Sequence, residues 1–237
     1  MLGNNNPSSI NYLENNLSAT RQFSKSNNLK STTSPSSDAA DDSYFNISVQ
    51  INQDGILFKE YPFALSSVGR GNSIVPFQAI REFILDDSNH AEIRTHNNEI
   101  LFMRCDFNIE DLKKTNIPIY TRQSIDLWSD ITEPFLDSSV PQVEEKVEQL
   151  ISRYSISREE CEKLYSIISE PVFAYNFETM LWEYVSLDLV DVLSSLDKNC
   201  PLSQKPLSEE KFKEFYNYAN NFTLKYENRN DFTKYTE

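Results

Sequence analysis

Apolar and polar residues alternate between residues 44 and 52, and this alternation predicts a β-hairpin at the start of the patterned part of the chain. Every second side chain in this segment is large and apolar, as expected for a strand that buries one face. A second apolar run starts directly after the step Asp54-Gly55. Because an Asp-Gly step between two such runs is a specific hairpin signal, we predict strands over residues 44–52 and 55–62.

A second hairpin is predicted over residues 90–107, with its turn at the tripeptide His-Asn-Asn that starts at His96. Asparagine tolerates the positive φ that a tight turn requires. The second strand, 99–107, contains four consecutive apolar residues, Ile100 to Met103. Because a strand that is apolar on both faces is typical of the middle of a sheet, we expect this strand to be central.

The segment between the two hairpins has two interpretations. Within residues 74–85, Pro76 could open a short helix that places Ile80 and Phe83 on one face, or residues 83–85 could form a strand. Two short elements are predicted after the second hairpin, namely a helix over 109–115 capped by Asn108 and an extended piece over 117–120.

After Arg122 the apolar spacing changes to three and four residues, which predicts helices. Ser157 and Glu160 form the signature of a capping box, so one helix is expected to begin at residue 158. The five predicted helices span residues 124–137, 140–154, 158–170, 177–196 and 208–226. The fourth is the most apolar and is expected at the centre of a bundle, whereas the last is expected outside with one face buried.

Composition divides the chain into three parts. Residues 1–42 contain eight Asn and nine Ser and too few apolar side chains to compensate the entropy of ordering, which predicts a disordered leader. A β-rich domain is predicted over 43–123 and an α-helical domain over 124–237, and these two can pack as one unit. The predicted class is α+β: a small antiparallel β-rich half followed by an acidic helical half of about five helices.

The chain is acidic, and its charge is unevenly distributed. It carries 36 Asp and Glu against 22 Lys and Arg, a formal net charge of -14. Residues 124–199 contain 16 acidic and 5 basic side chains and so contribute -11. Because nucleic-acid binding normally requires clustered Lys and Arg, we expect no direct nucleic-acid binding. The charge instead favours another protein with a basic surface as the partner.

Neither a membrane segment nor a cofactor motif is predicted. The longest apolar run has four residues, whereas a membrane-spanning helix needs roughly 18. The first residues lack the basic flank and apolar core of a secretory signal, so a cytoplasmic location is expected. The three cysteines, Cys105, Cys161 and Cys200, are odd in number and contain no Cys-x-x-Cys pair, which argues against a disulfide framework and against a zinc site.

One predicted helix, 124–137, places four carboxylates on one face. Their offsets of zero, four, seven and eleven residues bring them to the same side of a helix, opposite Ile125 and Trp128. The face could meet a basic partner or simply be solvated, and no calcium-binding spacing or Glu-x-x-His pair accompanies it. The candidate partner-binding residues are Asp126, Asp130, Glu133 and Asp137.

A second candidate site is the loop around Gly69, Arg70 and Gly71. Two glycines let backbone amides turn toward an anion, and an arginine can fork onto a phosphate or carboxylate. The sequence matches neither the Walker pattern nor the dinucleotide fingerprint. An anion or peptide site and an ordinary connecting loop therefore both remain open for this segment.

The second hairpin contains a possible reactive pair. A two-residue turn would place His90 opposite Cys105, and a histidine beside a cysteine can activate a thiolate. A three-residue turn would instead place His90 opposite Arg104, which gives a structural pair at the end of the strand.

Together these patterns predict a non-enzymatic protein-protein interaction or regulatory protein that uses an acidic helical surface. One alternative is an inhibitor that mimics nucleic acid and blocks a basic protein. The other is an enzyme with a cleft between the two halves, in which Arg70, His90 and Cys105 would be the reactive groups.

Overall fold

A computed structural model describes residues 47–86, 90–104, 107–136, 143–178 and 186–235 of the protein. Within these ranges all strands but the last lie before residue 123 and all helices but the first lie after it, which confirms the predicted α+β class. The predicted leader over 1–42 lies outside the described residues. None of the described helices is both long and apolar enough to cross a membrane.

The first hairpin forms at the predicted place, with shorter strands than predicted, and belongs to a three-stranded antiparallel sheet. In spatial order the strands are β1 (Val49–Ile51), β2 (Gly55–Phe58) and β3 (Ser73–Pro76). At Gly55 an added Cβ would lie 2.9 Å from the Cα of Pro76 and would overlap the backbone oxygen of Val75. The close approach of β3 to β2 therefore requires glycine at this position.

A second sheet has five strands in the order β6-β5-β4-β7-β8. They are β4 (Ile80–Leu85), β5 (Ala91–Thr95), β6 (Ile100–Met103), β7 (Ile119–Arg122) and β8 (Phe232–Lys234). Neighbours are antiparallel except β4 and β7, which run parallel. The strand interpretation of residues 83–85 is confirmed, and β4 starts after a single 3-10 turn over Phe77–Ala79.

The expectation that the strand after the second turn would be central is wrong, because β6 forms one edge of the sheet. All four of its residues are nevertheless buried. Side chains replace the missing neighbour strand: the N–H of Ile100 donates to Oδ1 of Asn220 at 2.7 Å, and the N–H of Phe102 donates to the hydroxyl of Tyr61 at 3.3 Å. An edge strand covered in this way has the apolar pattern of a central one.

The turn of the second hairpin contains three residues. Arg94 pairs with Ile100, and Asn98 has a φ of 61°. Because Ala91 pairs with Met103, the same register places His90 opposite Arg104. The three-residue alternative is therefore the one that the chain adopts.

Six helices are described. They are α1 (Ile109–Lys113), α2 (Leu127–Thr132), α3 (Val143–Tyr154), α4 (Arg158–Glu178), α5 (Leu189–Leu196) and α6 (Glu209–Tyr226). Two predicted caps are confirmed: the side chain of Asn108 accepts from the N–H of Glu110, and the hydroxyl of Ser157 accepts from the N–H of Glu160.

Three predicted helix boundaries need correction. The helix expected over 124–137 is regular only in α2 and continues as a 3-10 turn over Glu133–Phe135, where Pro134 lies within the first turn. The helix expected over 158–170 passes through Pro171 to residue 178, and residues 171–176 are all buried. The helix expected over 177–196 is not continuous, because Asp188 has an extended φ and caps α5.

Both halves of the chain contribute to one continuous core. Trp128 of α2 is completely buried, and its indole N–H donates to the hydroxyl of Thr223 on α6 at 2.7 Å. Phe63, before β3, packs its ring against those of Phe212 and Tyr216 on the same helix. Helix α6 therefore lies between the β-rich half and the helical half and contacts both.

Candidate functional site

The four candidate partner-binding carboxylates do not form one exposed face. Asp126 is the N-cap of α2, where its Oδ2 accepts from the N–H groups of Trp128 and Ser129, and it also pairs with Arg122. Ile125, predicted on the buried side, is 60% exposed. The physical reason is that α2 begins only after Asp126, so the periodicity of a single long helix does not apply to this segment.

Asp130 is buried in a polar network between α2 and α3. Its carboxylate accepts from the hydroxyl of Tyr154 at 2.6 Å and from Arg153 at 2.7 Å, and Nζ of Lys146 is 3.4 Å away. Lys146 also pairs with Glu133, whose side chain is 46% exposed. Burial and the neighbouring Asp130 carboxylate raise the pKa of Tyr154 above its ordinary value. Asp137 lies outside the described residues.

An open groove of about 500 Å³ lies on α3 beside this network. Glu145 and Glu148 are exposed along it, and Arg153 reaches across it toward Asp130. The lining residues are Asp130, Glu145, Glu148, Gln149, Leu150, Ser152 and Arg153. The groove is therefore open to solvent, and three of its four charged lining residues are acidic.

Cations from elsewhere in the chain reach the acidic stretch 124–199. Six of its carboxylates pair with Arg or Lys residues that lie outside it in sequence. These pairs are Arg70–Asp197, Arg104–Asp188, Arg104–Asp191, Arg122–Asp126, Lys205–Glu170 and Lys225–Glu160. The field of the helical half is consequently weaker than a charge of -11 counted along the sequence indicates.

The loop that contains Arg70 fastens the β-rich half to α5. Gly69 has a φ of +60°, which favours glycine. Nε of Arg70 donates to the carbonyl oxygen of Pro62 at 3.1 Å, and Nη2 lies 3.5 Å from Oδ2 of Asp197, whose side chain is 2% exposed. The guanidinium thus already has a carboxylate partner within the chain, and Gly71 has open space around it.

His90 and Arg70 lie at opposite ends of the hairpin. His90 directly precedes β5, and its N–H donates to Oδ1 of Asp86. The loop that carries Arg70 is anchored beside the hairpin turn, because the N–H of Ser67 donates to Oε1 of Glu99 at 2.8 Å. Five strand residues at about 3.3 Å each separate the two ends. The third member of the enzyme alternative, Cys105, lies outside the described residues.

Sequence reasoning missed a cluster of charged side chains against one face of the five-stranded sheet. We call it the arginine–carboxylate cluster, and its members come from β5, β7, the N-cap of α2 and the C-cap of α6. They are Glu92, Arg94, Arg122, Asp126 and Glu227. Their side chains are between 1% and 18% exposed.

The two guanidinium groups are shared among the three carboxylates. Arg122 lies 2.7 Å from Oε1 of Glu92 and 3.0 Å from Oε1 of Glu227, and it also pairs with Asp126. Arg94 lies 2.8 Å from Oε2 of Glu92 and pairs with Glu227. Neither oxygen of Glu227 takes part in a well-directed hydrogen bond.

Burial and charge move the pKa values in the cluster in opposite directions. Burial raises the pKa of Glu227 to about 7, and the carboxylate of Glu92 adds to this effect. Burial also raises the pKa of Asp126, against the opposing effect of Arg122. For Glu92, burial is outweighed by Arg122 and Arg94, which lower its pKa.

The three carboxylates of the cluster are close enough to share a cation. One oxygen of each lies within 4.8 Å of the others, and carboxylate oxygens are ligands of hard metal ions. However, each carboxylate already contacts a guanidinium group, so a metal ion would have to displace one. The sequence offered one signal for this site, which is the pair of charged residues Glu92 and Arg94 on either side of the apolar Ile93.

A smaller cluster joins the end of β6 to the start of α5. Arg104 pairs with Asp188 and lies 3.8 Å from Oδ2 of Asp191. The side chains of Asp188 and Asp191 form a capping box at the start of α5. Burial and the neighbouring Asp188 raise the pKa of Asp191 to about 7.

Comparisons of the chain with protein-family models, with curated proteins and with solved structures found no match.

Proposed function

We propose that the protein is a non-enzymatic interaction protein that binds a basic surface of another protein through the acidic side of α3. The observation that carries the proposal is the groove on this helix, where Glu145 and Glu148 are exposed beside Asp130. Surface carboxylates that face solvent can steer a basic partner and set its orientation. The partner is still a protein with a basic surface, as expected from the sequence, but the proposed contact surface lies on α3 and not on the segment 124–137.

The proposed contact is not on α2, because two of its predicted carboxylates are paired with other side chains of the protein. Asp126 and Asp130 are held by Arg122, Arg153 and Tyr154, so a partner would have to break these contacts to reach them. Glu148 forms an ion pair with Arg158 at the surface, where solvent screens it. Glu145 is exposed and has no ion pair among the described residues. Its carboxylate is therefore available without any such cost.

The positions of Arg70 and His90 favour binding over catalysis in this proposal. They are the described members of the enzyme alternative, and they lie at opposite ends of β5. General acid-base or nucleophilic chemistry requires such groups within hydrogen-bonding distance of one substrate.

The test is a charge reversal on the groove with a matched control. The variant Glu145→Lys with Glu148→Lys should lose most of the basic proteins that the wild type captures from native extract at low salt, and high salt should weaken wild-type capture. The control, Glu170→Lys with Glu214→Lys, changes the same number of exposed carboxylates elsewhere and should retain capture. Circular dichroism checks that both variants fold.

Two results would contradict the proposal. Equal capture by the wild type and by the groove variant would exclude this side of α3 as the contact. Competition of the captured protein by duplex DNA would instead favour the nucleic-acid mimic, because a decoy and DNA occupy the same basic site.

A further inference from the structure

The arginine–carboxylate cluster contains one more negative than positive group. It combines three carboxylates with two guanidinium groups, and water has little access to any of them. A surplus charge in such a place is costly, because it loses hydration and repels its like-charged neighbours. Either a proton or an added cation would remove the surplus.

Further charged groups beside the cluster do not neutralise it directly. Arg81 and Arg229 both contact Glu82 on β4, and their side chains are 32% and 56% exposed, so solvent screens them. Asp188 also acts on Asp126 and raises its pKa, but Asp188 is itself paired with Arg104.

We propose that the arginine–carboxylate cluster takes up one proton, and that this proton controls how firmly the C-terminal segment, residues 227–235, is held against the sheet. With the proton present, one of the three carboxyl groups, whose oxygens lie within 4.8 Å of one another, is neutral and no longer repels the other two. Without it, three carboxylates share two guanidinium groups and repel one another.

The cluster and the C-terminal segment are directly connected. Glu227 begins the segment, and the ring of Phe232 lies 5.2 Å from the guanidinium carbon of Arg94 and 5.7 Å from that of Arg122. Strand β8 pairs with β7 through its own backbone, and the N–H of Tyr235 donates to the carbonyl of Ile119. Displacement of Glu227 would therefore disturb the groups on which Phe232 and β8 rest.

Glu227 is the group that is most easily displaced. Its oxygens have no well-directed hydrogen bond, whereas Asp126 is held by two backbone N–H groups. The pKa of Glu227 of about 7 exceeds the ordinary value of 4.5, so the docked state binds the proton more tightly than an undocked one. The contribution of Glu227 to holding the C-terminal segment is therefore complete below pH 4.5 and is lost as the pH rises through 7.

Hydrogen exchange tests the proposal with the full chain. For the amides of β8, we expect the protection factor to fall about tenfold between pH 6 and pH 8, the effect of one proton released on opening. The amides of β2 serve as an internal reference. In Glu227→Gln, which resembles the protonated side chain, protection of β8 should stay the same at both pH values.

The controls separate this cluster from other titrating groups. Asp191→Asn removes the other carboxyl whose pKa is about 7 and should leave the pH dependence of β8 unchanged. Both histidines remain in every variant. If Glu227→Gln does not fold, carboxyl carbon NMR of the wild type provides the answer, because one carboxyl of the cluster should titrate near pH 7.

Three results would overturn the proposal. The first is equal protection of β8 at pH 6 and pH 8 in the wild type. The second is an unchanged pH dependence in Glu227→Gln, or cluster carboxyls that all titrate below pH 5. The third is protection at pH 8 that added Mg²⁺ restores to its level at pH 6, which would show that a cation neutralises the cluster instead.

Discussion

The side-chain amide oxygen of Asn220 accepts a hydrogen bond of 2.7 Å from the backbone N–H of Ile100. Asn220 lies on α6 and Ile100 begins the edge strand β6, so this contact joins the last helix to the β-rich half. The amide nitrogen of Asn220 donates in turn to the carbonyl oxygen of Tyr216. Both polar ends of a buried side chain are therefore used to close the edge of the sheet.

We predict that Asn220→Leu destabilises the protein by about 1–3 kcal/mol, because it leaves the buried N–H of Ile100 without an acceptor. Urea denaturation measures the change. The neighbouring Asn221 is exposed and supplies the matched control. Asn221→Leu should change the stability by less than about 0.5 kcal/mol. Equal effects of the two substitutions would show that the contact with Ile100 contributes nothing specific.

A second prediction separates a structural role of Asp130 from a role in binding. Asp130→Ala should cost about 3–5 kcal/mol, because it removes a partner of the buried Lys146 and of the Tyr154 hydroxyl. Glu145→Ala, at the exposed rim of the same groove, should change the stability by less than about 0.5 kcal/mol. Thermal or urea unfolding of both variants checks the difference, and a stable Asp130→Ala would contradict the network described here.

The parts of the fold that the sequence predicted are those that depend on local patterns. The hairpin at Asp54-Gly55 and the caps at Asn108 and Ser157 rest on interactions between residues fewer than ten positions apart. Local patterns could not predict whether β6 is a central or an edge strand. Its apolar pattern reports burial, and burial of an edge strand by Tyr61 and Asn220 depends on segments that are distant in sequence.

The candidate site was harder to predict for the same reason. A helical repeat of carboxylates predicts one face only if the helix is regular, and Asp126 instead ends up as a cap. Whether a carboxylate is exposed depends on cations that approach from elsewhere, as Lys146 and Arg153 do at Asp130. The arginine–carboxylate cluster joins residues from four separate elements that are distant in sequence, so no local spacing could predict it.

The carboxyl pair at the start of α5 leads to a prediction about pH. The pKa of Asp191 is raised to about 7 from 3.8, so the folded state binds its proton more tightly than the unfolded state does. Stability from this group is complete below pH 3.8 and is lost as the pH rises through 7. The free energy of unfolding of the wild type should therefore fall between pH 5 and pH 8 by at least about 1.4 kcal/mol more than that of Asp191→Asn, which lacks this titrating group.

Urea denaturation at the two pH values measures this difference. Asparagine keeps an oxygen that can accept from the N–H of Asp188, so the capping box retains that contact. A difference between wild type and variant that stays constant from pH 5 to pH 8 would contradict the raised pKa.

The last prediction uses two glycines in contrasting surroundings. At Gly55 a methyl group would overlap the backbone of β3 at Val75 and Pro76, and backbone cannot yield as a flexible side chain can. Gly55→Ala should therefore destabilise the protein by about 1–3 kcal/mol and separate β2 from β3. At Gly71 nothing lies within 4 Å of the added atom. Gly71→Ala should therefore be neutral or stabilise the protein by up to about 1 kcal/mol, because alanine lowers the conformational entropy of the unfolded chain. Unfolding curves of the two variants give the comparison, and a Gly55→Ala as stable as the wild type would show that β3 does not pack against β2 at this distance.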